Sequence, residues 1–215
     1  METDFGGNKG QFIIPPKSMR YHLLTAEAKS RNGRTGLNLD SFIYTGDVRS
    51  KHDNKYVYEL PFSPSKSYLV SQGYNGRFSH QGENAIDFAF DIGEKVFAAR
   101  GGIVYRVVEK NSKSCRQSSC QDYNNYITVY HSDGTFSEYS HLKYNGAEVN
   151  EGDQIEAGDF IGYSGNTGWS SGPHLHFVVY KYNEKGQRET LKTRFKTLEK
   201  EKAYLKEQKS YSKPN

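Results

Sequence analysis

The sequence predicts a mostly β protein. Aromatic residues make up 14% of its 215 residues, with 17 Tyr and 12 Phe. The 21 glycines punctuate short runs in which apolar and polar residues alternate, and long stretches of helical apolar spacing are scarce. Short, ring-rich, turn-bounded runs suit a pleated, half-buried surface. The expected architecture is a compact antiparallel β-sheet or β-sandwich-like domain over residues 67–183. A small, partly disordered N-terminal β accessory region (1–66) precedes it, and a Lys/Glu-rich tail (184–215) follows.

Residues 1–10 carry no apolar pattern. Between 11 and 60, the strand-like pieces "QFII", "RYHLL", "SFIY" and "KYVYEL" alternate with polar loops, and "PFSPSK" (61–66) forms a Pro/Ser joint. "KVFAARGGIVYRVVEK" (95–110) reads as two short strands about Gly101 and Gly102. "NNYITVYHSDGTFSEYSHL" (124–142) reads as a hairpin turning at Asp133-Gly134. "SSGPHLHFVVY" (170–180) is a strand entered from a turn. Its two-residue period sends Leu175, Phe177 and Val179 to the core and puts His174 and His176 together on the other face. In the tail, "TLEKEKAYLKEQK" (197–209) is expected to form a surface helix or to stay extended and solvated.

The charge balance, 29 basic against 25 acidic residues, gives +4, which suits solubility or a mild attraction to an anionic surface. A nucleic-acid binder would interleave Lys and Arg with aromatics on one sheet face. These strands place His and Asp outward instead, so nucleic acid is not an expected partner. Cys115 and Cys120 have no second Cys pair to complete a Cys-type zinc site, and in an exported protein they would form a small local disulfide. Residues 1–25 contain no apolar signal core, and no run is apolar and long enough to span a membrane.

Seven histidines are present. His22 and His52 lack partners at ligand spacing and read as surface or structural residues. His131, at the hairpin turn, reads as a solvated turn histidine. His80 is followed by Asp87, which sits on a strand opposite Ile86 and Phe88, with Glu83 as a rival ligand in the intervening loop. Tyr139 and His141 are expected to share one face of the second hairpin strand. Tyr139 could then line a cleft or pack in the core. Zinc commonly takes three ligands from His and Asp/Glu, and spacing alone leaves open which three of this set bind.

"SHQGENAIDFAF", "YSHL", "EGDQIEAGDFIGYSG" and "GNTGWSSGPHLHF" together resemble the lysostaphin-type (LytM-like) zinc endopeptidases that cut peptidoglycan, over roughly residues 67–182. The resemblance implies that His80, Asp87 and His176 hold Zn2+. It implies that His141 and His174 flank the metal-bound water and the scissile carbonyl, one as base and the other at the oxyanion or leaving amine. It implies a monomeric, extracytoplasmic enzyme with a peptidoglycan peptide as substrate, the export signal being absent from this chain. Residues 166–171 should form one wall of the cleft. Six residues separate His80 from Asp87, against three in the usual family motif, so a longer loop must bulge between them. The rivals are a catalytically inactive cell-wall-binding or amidase-activating module, and a different zinc enzyme in which both histidines of "HLH" are ligands.

Overall fold

The computed structural model describes residue 46, residues 50–64 and residues 66–214. His22 and the strand-like runs before residue 46 lie outside these residues. In order, the strands are β1 (Val57–Tyr58), β2 (Ser67–Gln72), β3 (Ala85–Phe88), β4 (Lys95–Phe97), β5 (Gly102–Val108) and β6 (Ser114–Cys115). A 3-10 helix at Ser118–Tyr123 leads to β7 (Tyr126–Tyr130), β8 (Phe136–Ser140), β9 (Leu142–Ala147), β10 (Gln154–Ile155) and β11 (Phe160–Ser164). Then come β12 (Gly168–Trp169), β13 (Leu175–Tyr182), β14 (Arg188–Leu191), β15 (Arg194–Phe195) and β16 (Ser210–Ser212).

The molecule is mostly β, as expected. Its main sheet is antiparallel and nine-stranded, in the order β10-β5-β7-β8-β13-β3-β2-β16, with β14 also on β13. β13 is the hub. β8 runs along one of its edges, while β3 pairs with Leu175–Val178 and β14 with Val179–Tyr182 along the other. A three-stranded antiparallel sheet, β4-β11-β9, supplies Val96, Ile161 and Leu142 to the same apolar cluster as Val70, Phe88, Val129, Leu175 and Phe177 of the main sheet. Phe177, 1% exposed, packs against Tyr139 with ring centroids 5.2 Å apart. Truncating a ring so placed typically costs about 3–5 kcal/mol. The core therefore holds β13, and with it the histidine end of that strand, in one position.

Two expectations are corrected here. The tail is neither a helix nor a solvated extension. β14 extends the hub, and β16 pairs with β2 through Ser210–Leu69 and Tyr211–Tyr68. Phe195, Leu205 and Tyr211 are buried. Burial of these three side chains outweighs the helix preference of the Lys/Glu stretch around them. His131 is not solvated either. It is fully buried, its Nδ1 donating to Gly101 O at 2.8 Å and its Nε2 accepting from Ser137 Oγ at 3.0 Å. Burial pushes its pKa down to about 4. His131 opens the turn, its carbonyl accepting from Gly134 N at 3.0 Å, and its ring packs beneath the turn rather than at the loop tip.

His52 proves structural. Its Nδ1 lies 3.1 Å from Asp133 Oδ2, which Arg100 also reaches at 2.9 Å while stacking over the Tyr56 ring at 3.9 Å. These contacts pin residues 50–58 to the β7–β8 turn. Cys115 and Cys120 are disulfide-bonded, with Cα atoms 5.8 Å apart.

Candidate metal centre

The sheet register builds the centre of the site. β13 and β3 place His176 directly opposite Asp87, and on its other edge β13 places His176 opposite Ser140. Directly opposed side chains on one face touch, and His176 Nδ1 lies 2.9 Å from Asp87 Oδ1. His80 arrives from the loop between β2 and β3. Its Nε2 is 3.2 Å from His176 Nδ1 and 3.2 Å from Asp87 Oδ1. The structure thus brings three of the five residues named from the sequence into one cluster.

The donor chemistry fits zinc. Around a tetrahedral ion with donors at roughly 2.0–2.1 Å, neighbouring donors lie about 3.3 Å apart, close to the three separations here. The outer contacts set the tautomer. A carbonyl only accepts, so His80 Nδ1, 3.0 Å from Gly73 O, carries the proton and leaves Nε2 a bare lone pair facing the cluster. Gln72 Nε2 donates to the other Asp87 oxygen at 2.9 Å. Asp87 is buried, which alone would raise its pKa, but the neighbouring His176 and His80 rings hold it well below the usual carboxylate range. At His80, burial pulls the pKa down and the Asp87 carboxylate more than offsets it, for a net rise.

His141 and His174 stand beside this cluster. Their rings are 4.5 Å apart, the His141 ring is 5.9 Å from that of His176, and His174 Nε2 is 3.8 Å from Asp87 Oδ1. Both spend Nδ1–H on a backbone carbonyl, His141 on Thr167 O at 2.7 Å and His174 on Gly172 O at 2.8 Å. Each therefore keeps Nε2 free as a proton acceptor. Burial first, and then the nearby His174 and His176, lower the pKa of His141 to about 3.

His141 does not share a face with Tyr139. β8 ends at Ser140, and His141 has φ 63°, the left-handed region that β-carbon-bearing residues avoid. That turn swings His141 out of the alternation, while Tyr139 stays in the core, its hydroxyl accepting from Ala99 N at 2.7 Å. Asn124 holds the strained residue, its Oδ1 accepting from His141 N at 2.9 Å. Sequence reasoning passed over Asn124, and nothing in its local pattern marks it.

The segment 166–171 lies beside these histidines. Thr167 supplies the carbonyl for His141, and Ser170 Oγ is 3.3 Å from His174 Nδ1. Gly168 has φ 81°, and a β-carbon there would come within 2.8 Å of Asn124 Cα, so only glycine fits. β12 pairs in parallel with β6, Trp169 against Cys115, so the disulfide loop backs this wall. Trp169 is 42% exposed and its ring N–H donates to Arg116 O at 3.1 Å. On the opposite side, the long loop between His80 and Asp87 leans on β14. Asn84 N donates to Thr190 Oγ1 at 2.9 Å, and Asn84 Nδ2 to Thr190 O at 3.0 Å. Glu83, the rival ligand, faces away from the cluster to pair with Arg188 at 3.0 Å.

A model of peptidase family M23 matches residues 81–188, half of the chain, beginning one residue after His80. An uncharacterized metalloprotease of Buchnera aphidicola is 35% identical over 63% of this chain and 34% of its own length. The peptidoglycan DD-endopeptidase ShyA of Vibrio cholerae is 34% identical over 59% of the chain and 25% of its own length. Lysostaphin of Staphylococcus staphylolyticus is 38% identical over 49% and 19%. The chain thus aligns with about a third or less of the length of these relatives.

Proposed function

This chain belongs to peptidase family M23, and from that premise we propose that it is a zinc-dependent endopeptidase hydrolysing peptide bonds in the cross-links or stem peptides of peptidoglycan. The observation that carries the proposal is the convergence of His80 Nε2, Asp87 Oδ1 and His176 Nδ1 within 4.8 Å, with two further histidine bases alongside. ShyA, a peptidoglycan DD-endopeptidase, supports the substrate class.

In this reading His80, Asp87 and His176 hold the metal. Zinc bound there supplies Lewis acidity, lowering the pKa of a water and polarising a carbonyl. The chain's own residues do the rest. His141 and His174 aim Nε2 at the reacting atoms: one, unprotonated there, takes the proton released as water attacks, and the other, carrying a proton on Nε2 as well as on Nδ1, hydrogen-bonds the developing oxyanion or protonates the departing amine. Proton transfer of this kind is typically worth ~10²–10⁴ in rate. Their Nδ1–H bonds to Thr167 and Gly172 fix the ring planes in advance, so little reorganisation accompanies the reaction. Residues 166–171, within the Gly-rich "SGNTGWSSG" loop, would let an extended peptide backbone approach.

No helix among the described residues is long and apolar enough to cross a membrane. The disulfide and the substrate class support an extracytoplasmic site of action. An inactive activating module would have no need of both the donor triad and the two outer bases, and this chain keeps all five.

The test is digestion of purified muropeptides of defined cross-link type, with product masses read out, with and without EDTA. New termini at one peptide linkage, abolished by EDTA and restored by zinc, are expected. Intact muropeptides at every cross-link type tried, with zinc fully loaded, would overturn the proposal.

A further inference from the structure

One buried side chain joins the two halves of the metal cluster without belonging to it. Gln72, at the end of β2, is 6% exposed. Its Nε2 donates to Asp87 Oδ2 at 2.9 Å and to Ser79 Oγ at 2.9 Å. Its Oε1 accepts from Phe78 N at 3.0 Å and Ser79 N at 3.2 Å. Both donors and both acceptor sites of the amide are therefore in use, and the two backbone N–H groups on one side and the carboxylate on the other leave a single way round for the amide.

The backbone is bent to put it there. β2 and β3 pair Val70 with Phe88, and unbroken antiparallel pairing would set residue 72 against residue 86. A register shift after Val70 sets Gln72 against Asp87 instead. Val70 points into the core, and a side chain two positions on would follow it in a regular strand. The shift re-aims Gln72 onto the Asp87 side, as bulges beside functional sites do. The loop above is shaped to match. A β-carbon on Gly76 would lie 2.4 Å from Gln72 Cγ, so the chain crosses over the amide only because residue 76 is glycine.

We infer that Gln72 is a positioning residue for the metal centre: by occupying Asp87 Oδ2 it makes the carboxylate a one-oxygen donor through Oδ1, and by capping Phe78 and Ser79 it locks the loop that delivers His80 to that same carboxylate. The inference rests on the metal reading given above. A carboxylate without such a partner rotates and can offer both oxygens, and loss of partners of this kind typically weakens metal binding ~10–100-fold.

The test compares the wild type with Gln72→Glu and Gly76→Ala. The first keeps the acceptor for Phe78 and Ser79 but replaces the donor facing Asp87 with a second carboxylate. The second keeps every polar group and displaces the amide by crowding. Zinc dissociation constants come from chelator competition, and the thermal midpoint of each metal-free protein reports folding. Zinc affinity at least 10-fold weaker in both variants while they remain folded is expected. Affinities within twofold of the wild type would overturn the role of Gln72, as would an affinity loss that merely tracks loss of folded protein. A wild type that takes up no zinc would instead overturn the metal reading itself.

Discussion

Replacing His131 with Gln should destabilise the protein at neutral pH and matter progressively less as the pH falls. At pH 7.5 the variant loses a fitted ring that bridges Gly101 O and Ser137 Oγ. Buried groups left without a partner cost about 1–3 kcal/mol each, so a loss of about 2–4 kcal/mol is expected. The pH dependence follows from burial. The folded state holds the imidazole neutral down to about pH 4, against an ordinary 6.5. Between those values the unfolded chain binds a proton and the folded chain does not, so lowering the pH favours unfolding. The stabilisation is present above pH 6.5 and is lost as the pH falls toward 4. The 2.5-unit difference corresponds to about 3 kcal/mol, most of it spent by pH 4.5. Glutamine does not titrate. Urea unfolding of both proteins in EDTA at pH 7.5 and 4.5 should therefore show the gap between them shrinking by about 2–3 kcal/mol. Acid effects from Asp87 and His141 are common to both and cancel in the difference. A gap constant to within ~0.5 kcal/mol, or a variant as stable as the wild type at pH 7.5, would refute the reasoning and restore the solvated-turn reading.

His176→Ala should lose both zinc and activity, whereas His174→Ala and His141→Ala should keep stoichiometric zinc and lose ~10²-fold or more in turnover; zinc content measured beside cleavage rate decides, and zinc loss in His174→Ala would make both histidines of the strand ligands. Asn124→Ala frees the strained His141 and should lower kcat about 10-fold with zinc content unchanged, while Asn124→Asp, which keeps the acceptor for His141 N, should recover most of the rate; equal rates for all three proteins would remove Asn124 from the account. Replacing Cys115 and Cys120 with Ser opens a ring of only four intervening residues, so the stability lost should fall below the ~3 kcal/mol of a 15-residue loop; thermal unfolding measures it, and two free thiols in the non-reduced wild-type protein would rule out the bond.

What could be read from the sequence was whatever depends on local period. β13 and the β7–β8 hairpin follow from two-residue alternation, and Asp87 and His176 were each placed on the face opposite the apolar side chains of their strands. What could not be read depends on departures from that period. His141 leaves the alternation through one left-handed residue, and Gln72 changes face through one register shift. Neither leaves a mark in composition: Asn124 lies 17 positions from His141, and Gly76, close after Gln72, reads as an ordinary turn glycine. His131 was misjudged because a turn motif says where the chain reverses, not which rings lie beneath it. The tail was misjudged because three buried side chains among many charges carry little weight in a local pattern and a great deal in a core.

The divided edge of β13 has a consequence for how this chain can be shortened. Half of that edge belongs to β3, which bears Asp87, and half to β14, which comes after the histidine strand and braces the long loop through Thr190 and Arg188. The extra residues between His80 and Asp87 thus lean on an appendage about a hundred positions downstream. Gln72 holds the start of that loop and Thr190 and Arg188 hold its end, so without the appendage the residues nearest Asp87 would lose their brace. Trimming the chain just past the histidine strand, the natural place to stop if motifs alone were the guide, would strip Phe195, Leu205 and Tyr211 from the core and loosen the loop that leads from His80 to Asp87.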